Sequence, residues 1–175
     1  MHVQTHVMSG WCVGNLVQLT PRERVFCMLA ASLADLDGLG YFFSAETYWD
    51  YHHKLTHNLL FGLVLVGVLT AFSTHRLKAF LMFLALFHLH LVLDYFGSGP
   101  GWGIPYLWPF SNWTVEYLHN WQLYSWQNIT TGVACIVWVI VIAIRQGRTP
   151  LEAIMPKLDV QLVALFRKIR LRKAS

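Results

Sequence analysis

Three stretches of the chain are almost free of charge: LLFGLVLVGVLTAF (59–72), LKAFLMFLALFHLHLVLDYF (77–96) and ITTGVACIVWVIVIAI (129–144). Runs of this length and apolarity leave little choice of fold. A helix of about 20 apolar residues matches the hydrocarbon thickness of a bilayer. In lipid the backbone must satisfy its own polar groups, and a helix does so within one segment. Composition decides between lipid and a soluble core. Charged residues are only 13% of the sequence and mean hydropathy is +0.44, against about 25% charged in a soluble domain. Too few charges exist to cover a water-facing surface. The expected fold is all-α: a transmembrane bundle of about five helices, forming one domain over 1–149 with a basic amphipathic tail at 150–175.

Start and stop signals place the other helices. Thr5 is positioned to cap a helix beginning at His6 and running to Leu19, in which Gly10 and Gly14 permit close packing. Thr20 caps a second helix with Pro21 in its first position; it runs to Leu36 and stops at Gly38. Residues 38–51 are aromatic without a clear period and read as a loop at the membrane surface, where Tyr and Trp collect. The third helix opens at the histidines of YHHKLTHN (51–58) and the fourth covers 77–96. A Gly/Pro/Trp loop then leads through the aromatic amphipathic segment 113–128 to the fifth helix at 129–144. Pro150 and Pro156 mark a boundary, and KLDVQLVALFRKIRLRK (157–173) reads as a basic amphipathic helix suited to an anionic leaflet. Residues 1–20 hold no Lys or Arg, unlike an ordinary signal peptide. Cys12, Cys27 and Cys135 are odd in number, far apart and without a CxxC, so neither a disulfide framework nor a thiolate zinc site is expected.

Laid up and down in order, these helices sort the polar residues. His6 opens the first, Asp35 and Asp37 close the second, His52, His53 and His57 open the third, and His90 and Asp94 close the fourth. With short turns, all of these share one end of the bundle. Arg22, Arg24, Arg76, Lys78, Arg145 and Arg148 fall at the other. Histidines satisfied one by one inside a core have no reason to gather at one end. A shared metal site gives them one. His90 and Asp94 are spaced to share a helix face about one turn apart, as are His53 and His57. Imidazole and carboxylate donors without thiolate suit zinc, manganese or iron better than calcium or magnesium. The donors outnumber what one tetrahedral ion takes, so two or more ions are expected. Paired ions polarise an ester oxygen and activate water at neutral pH. The bland alternative is a His–Asp hydrogen bond inside an apolar bundle. His88 lies on another face of its helix, His119 with Glu116 reads as a solvated pair, and His2 and His75 stand outside the set.

Together these motifs resemble the bacterial membrane-bound metal-dependent hydrolases, a family that includes a LexA-regulated inner-membrane protein. The family pattern runs T/G-H, PDIDH, HRGxTHS, SHxxxD and LLWP. Here it reads Thr5-His6, ADLDG with Asp35 and Asp37, HHKLTHN with His52, Thr56 and His57, LHLVLD with His90 and Asp94, and YLWP at 106–109. The likeness covers residues 5–110. It implies a multi-pass protein of the bacterial inner membrane with a divalent metal, zinc foremost. The implied ligands are His6, Asp35, Asp37, His52, His57, His90 and Asp94. It favours His52 over His53 as ligand and leaves His53, which stands where the family has arginine, as a catalytic residue. Lys54 replaces the family glycine, Asn58 the serine and Gly38 the histidine. More distantly, the family is similar to zinc-dependent phospholipase C and P1-type nucleases, which are helical multi-zinc phosphoesterases.

The expected activity is therefore hydrolysis of a phosphoester in a lipid-linked substrate, with membrane lipid as partner. Gly97, Gly99, Gly101 and Gly103 would offer backbone N–H groups to a phosphate. A metal transporter is one alternative, although transport sites usually lie near the bilayer midplane rather than at helix ends. A non-catalytic scaffold with a structural metal is another. Nucleic-acid binding would rest on the basic tail alone and is not expected. By the positive-inside rule the basic end is cytoplasmic and the metal end periplasmic.

Overall fold

The computed structural model describes residues 1–172; the end of the expected tail, 173–175, lies outside the described residues. Seven α-helices follow in order: α1 Val3–Gly14, α2 Pro21–Ala30, α3 Ala45–Tyr51, α4 Leu59–Ala71, α5 Arg76–Gly97, α6 Trp126–Gln146 and α7 Pro156–Arg172. A 3₁₀ segment, Leu33–Phe42, joins α2 to α3. No strand forms among the described residues, so the architecture is all-α, as expected. One antiparallel bridge between Ile104 and Val115 pins the long loop after α5.

Two helices, α5 and α6, are long and apolar enough to cross a bilayer. The pair of α2 and the 3₁₀ segment makes a third candidate, bent by 56° at its break. With 13 residues, α4 rises only about 20 Å, short of a full hydrocarbon core. Its outward residues Leu60, Leu63, Val64 and Val68 are exposed, as are Ile129, Val133, Ile136 and Val137 on α6. Apolar faces of this kind suit lipid.

Inside, Phe83, Leu86 and Phe87 of α5 are fully buried against Val66 of α4 and the Ala30–Ala31–Ala34 side of the bent pair. Small residues set how closely the helices approach. A Cβ added at Gly10 of α1 would lie 2.5 Å from the Cys27 carbonyl of α2, and one at Gly62 of α4 would lie 2.3 Å from the Phe87 ring. Such contacts let backbones meet without a driving force from water. All three cysteines are free and buried.

Several boundaries differ from the sequence expectation, each for a local reason. Helix α1 starts at Val3 and stops at Gly14, not 6–19. Thr5 is therefore inside the helix, facing Gly132 of α6, and caps nothing. Asn15 ends the helix and bonds back to the Trp11 carbonyl at 2.8 Å. The cap of α2 is as expected: Thr20 and Glu23 form a capping box with Pro21 behind the cap. The helix nonetheless ends at Ala30. Asp35, Gly38 and Gly40 are poor α-formers, and the chain tightens into 3₁₀ geometry, which rarely runs beyond about 3–4 residues outside strained or functional stretches. Where a loop was expected, α3 forms, capped by Ser44, whose hydroxyl accepts from Thr47 N at 2.9 Å. None of its residues is buried, so no apolar period announced it. The histidines of 52–58 precede α4 instead of opening it. Asn58 is the N-cap, accepting from Phe61 N at 2.9 Å.

The candidate metal centre

Asp94 is the hub of a buried polar cluster. Its Oδ1 lies 3.1 Å from His6 Nε2. Its Oδ2 lies 3.0 Å from His90 Nε2, 3.3 Å from His57 Nε2 and 3.8 Å from His53 Nε2. The Met1 amino group also contacts Oδ1. Asp35 Oδ1 stands 3.9 Å from both His57 Nε2 and His90 Nε2. The elements contribute in turn: α1 brings His6, the 3₁₀ segment brings Asp35, the turn before α4 brings His53 and His57, and one face of α5 brings His90 and Asp94. The i, i+4 spacing on α5 works because both residues point into the bundle.

The outer nitrogens of three rings face groups that only accept. His90 Nδ1 lies 2.8 Å from the Ala31 carbonyl, His53 Nδ1 lies 3.1 Å from the Trp102 carbonyl, and His57 Nδ1 lies 3.0 Å from Asp37 Oδ2. Each Nδ1 must therefore carry hydrogen, which leaves Nε2 of the neutral ring as a lone pair aimed inward. This is how proteins orient metal-binding imidazoles. Two of those atoms, His57 Nε2 and His90 Nε2, are 3.1 Å apart. Two lone pairs at that distance repel unless a cation lies with them, either a proton or a metal. Asp35 Oδ2 and His6 Nδ1 are buried with no partner. The donor set thus fits a divalent ion by its chemistry and by its orphaned atoms. Burial opposes charge on His57, but hydrogen bonds with Asp37 and Asp94 outweigh it and lift its pKa to about 9. Burial, helped by the neighbouring His57 charge, holds His53 well below the usual histidine range.

All the residues expected from the sequence are drawn together, but not in equivalent places. The donor atoms of His6, Asp35, His90 and Asp94 lie within 4.8 Å of one another, as do those of His53, His57 and Asp94. Asp37 and His52 belong to neither set. Asp37 Oδ1 is 2.7 Å from His52 Nδ1, and its Oδ2 meets His57 Nδ1 and, at 3.3 Å, Thr56 N. It stands behind the histidines. Sequence reading missed the carbonyls of Ala31 and Trp102, because backbone atoms carry no residue signal. It also missed Ser98, whose hydroxyl accepts from the Met1 amino group at 3.1 Å.

A cavity of about 840 Å³ opens onto the cluster, with Asp35, His52 and His53 on its wall and Tyr41, Phe42, Tyr48, Trp49, Leu39 and Trp102 around it. The Trp49 and Trp102 rings stack at 4.6 Å and 15°. A smaller cavity of about 310 Å³, with Lys54, Asp50, Asn112 and Thr114, is also lined by Trp49, Trp102, His52 and His53. The glycine cradle expected in the loop is not free as a whole, since Gly101 N–H donates to Glu116 Oε1 at 2.7 Å. Glu116, exposed like His119, thereby also braces the loop. His88, off the cluster as expected, holds the Tyr106 hydroxyl at 2.8 Å.

The fold and this site define a helical integral membrane protein with a buried His/Asp centre at one end of its bundle. The model of the YdjM inner membrane protein family matches residues 1–166, and the chain belongs to that family. Comparison with curated proteins finds no match, and comparison with solved structures finds none either.

Proposed function

We propose that the protein is a metal-dependent hydrolase embedded in the membrane, acting on a phosphoester in a lipid-linked substrate. One observation carries the reading: inward-facing imidazole nitrogens and two carboxylates converge beside a large aromatic cavity that two cluster members, Asp35 and His53, reach directly. A divalent ion in such a site supplies Lewis acidity and lowers the pKa of a bound water to about 7. His6, Asp35, His90 and Asp94 would hold it, with zinc favoured and manganese or iron as alternatives. Ala31 and Asp37 keep His90 and His57 turned inward. His52 donates its Nδ1 hydrogen to Asp37 and lines the cavity, so its Nε2 is placed to take or return a proton at a bound substrate. The aromatic wall suits the apolar body of an amphiphile, and Lys54 offers charge to a phosphate on the polar side.

This division of labour gives His52 the proton and Asp37 the orienting role, in place of ligand positions. A structural ion in a scaffold needs no cavity of this size, and a transporter needs polar groups along its helices; α6 carries no Asp or Glu and its only basic residue is in its last turn. The basic end would face the cytoplasm and the metal end the periplasm. The test is turnover of phospholipid and isoprenoid-phosphate panels by purified protein with zinc or manganese. His57→Ala and Asp94→Ala should abolish turnover while the protein remains folded. A metal-loaded protein inert to every phosphoester would put the scaffold reading ahead.

A further inference from the structure

We infer that the cluster is built for two ions, that His53 is the residue that creates the second position, and that Asp94 is shared between the two. The inference rests on the metal reading above and extends the expectation of more than one ion to the residue that makes the second position and the residue that is shared. The two donor groups overlap in one residue only: His6, Asp35 and His90 on one side, His53 and His57 on the other, with Asp94 in both. Oδ1 faces His6, while Oδ2 lies 3.0 Å from His90 Nε2 and is also the oxygen that His57 and His53 approach, at 3.3 and 3.8 Å. Oδ2 thus meets imidazoles of both groups, which makes Asp94 the residue they share.

His53 shows the marks of a residue held in place for its side chain. It is the one non-glycine at positive φ among the described residues, at 65°. A left-handed backbone at a non-glycine residue costs free energy, less at histidine than at branched or bulky residues, and such strain clusters at functional sites. A turn here had cheaper residues available. The left-handed conformation swings the imidazole inward, where it is 3% exposed. The ring then stacks on His57 at 4.2 Å and 21°, which points both Nε2 atoms at the same oxygen. The Trp102 carbonyl fixes the hydrogen on Nδ1, so Nε2 has the lone pair. Simple packing does not account for that nitrogen. Among the described residues its only hydrogen-bond contact is Ser98 Oγ at 3.5 Å, at the outer limit for such a bond. His53 also lines both cavities, so an ion held there lies at the junction of the apolar and polar chambers, where a scissile group would be.

The test is metal counting and manganese spin resonance on the full-length purified protein, His53→Asn and His6→Ala. Asn tolerates positive φ, so the turn is retained while the imidazole is lost; His53→Gly is the second variant, with melting temperature in detergent as the folding control. Wild type should hold two ions per chain, with an exchange-coupled manganese spectrum. His53→Asn and His53→Gly should hold one, with an uncoupled spectrum. His6→Ala should weaken the other position. One ion in wild type, held equally well by His53→Asn, would overturn the inference and leave the metal reading standing. No ion in folded wild type would overturn both.

Discussion

The two ends of this bundle each bury a carboxylate, and the two are satisfied in opposite ways. Glu23, at the basic end, accepts from Thr20 N at 2.8 Å, the Thr20 hydroxyl at 2.9 Å, Thr74 N at 2.9 Å and His75 N at 3.1 Å. It caps its own helix and, from a distance, the start of α5, whose N-cap His75 makes no side-chain cap of its own. Beside it Arg24 bonds Glu152 and the Leu19 carbonyl, and Arg148 Nε reaches Asn15 Oδ1 at 2.8 Å. Most donors there are backbone N–H groups or permanent cations, and no buried side-chain atom of Glu23 or Arg24 lacks a partner. Asp94, at the other end, accepts from the Met1 amino group and is otherwise surrounded by imidazoles whose inward nitrogens are lone pairs when neutral, next to orphaned atoms of His6 and Asp35. A network made for stability closes on itself. A network made for a ligand would leave its donors facing one another, as the proposed metal reading expects at Asp94.

Substitutions should therefore dissociate the two ends. The largest effect is expected from Asp94→Ala, which removes the residue common to both donor groups. Elemental analysis of the purified variant should find essentially no bound metal, and turnover should vanish. Glu23→Ala should do the reverse. It leaves two N–H groups at the α5 start and the α2 cap unpaired, a loss of about 3 kcal/mol from hydrogen bonds to a charged group, read as a lower melting temperature with metal content unchanged. Loss of metal in Glu23→Ala at full occupancy of fold would break the comparison. Asp37→Ala removes the carboxylate that orients His57 and His52. Such a change costs about 10–100-fold in metal affinity, measurable by competition with a chromophoric chelator, while excess metal restores full loading. The smallest effect belongs to Arg148→Ala, which loses a bond to Asn15 worth about 1 kcal/mol or less and should leave metal binding untouched.

Much of this was legible in the chain. The apolar runs announced α5 and α6, Thr20-Pro21 announced the start of α2, and the i, i+4 pair His90–Asp94 announced the inward face of α5. The gathering of histidines and aspartates at one end followed from helix order alone. What escaped was whatever depends on atoms without residue identity or on tertiary override. The 3₁₀ segment 33–42 arises because Asp and Gly fail to sustain an α-helix, yet Asp35 still reaches the donor cluster and Asp37 stands behind its histidines. Helix α3 buries nothing and so has no period. The separation of His52 from His53 could not be read from spacing, because neither lies on a helix face. It is set by a positive φ at His53 and by carbonyls and carboxylates from elsewhere in the chain.

The central claim is that a divalent metal belongs at Asp94 and not at Glu23. Anomalous X-ray scattering at the zinc edge, on crystals of the protein purified with zinc, tests it most directly. The account predicts a peak within about 2.0–2.2 Å of a His90 or His6 nitrogen and an Asp94 oxygen. A map with no peak at the cluster, or with zinc elsewhere in the bundle, would contradict it.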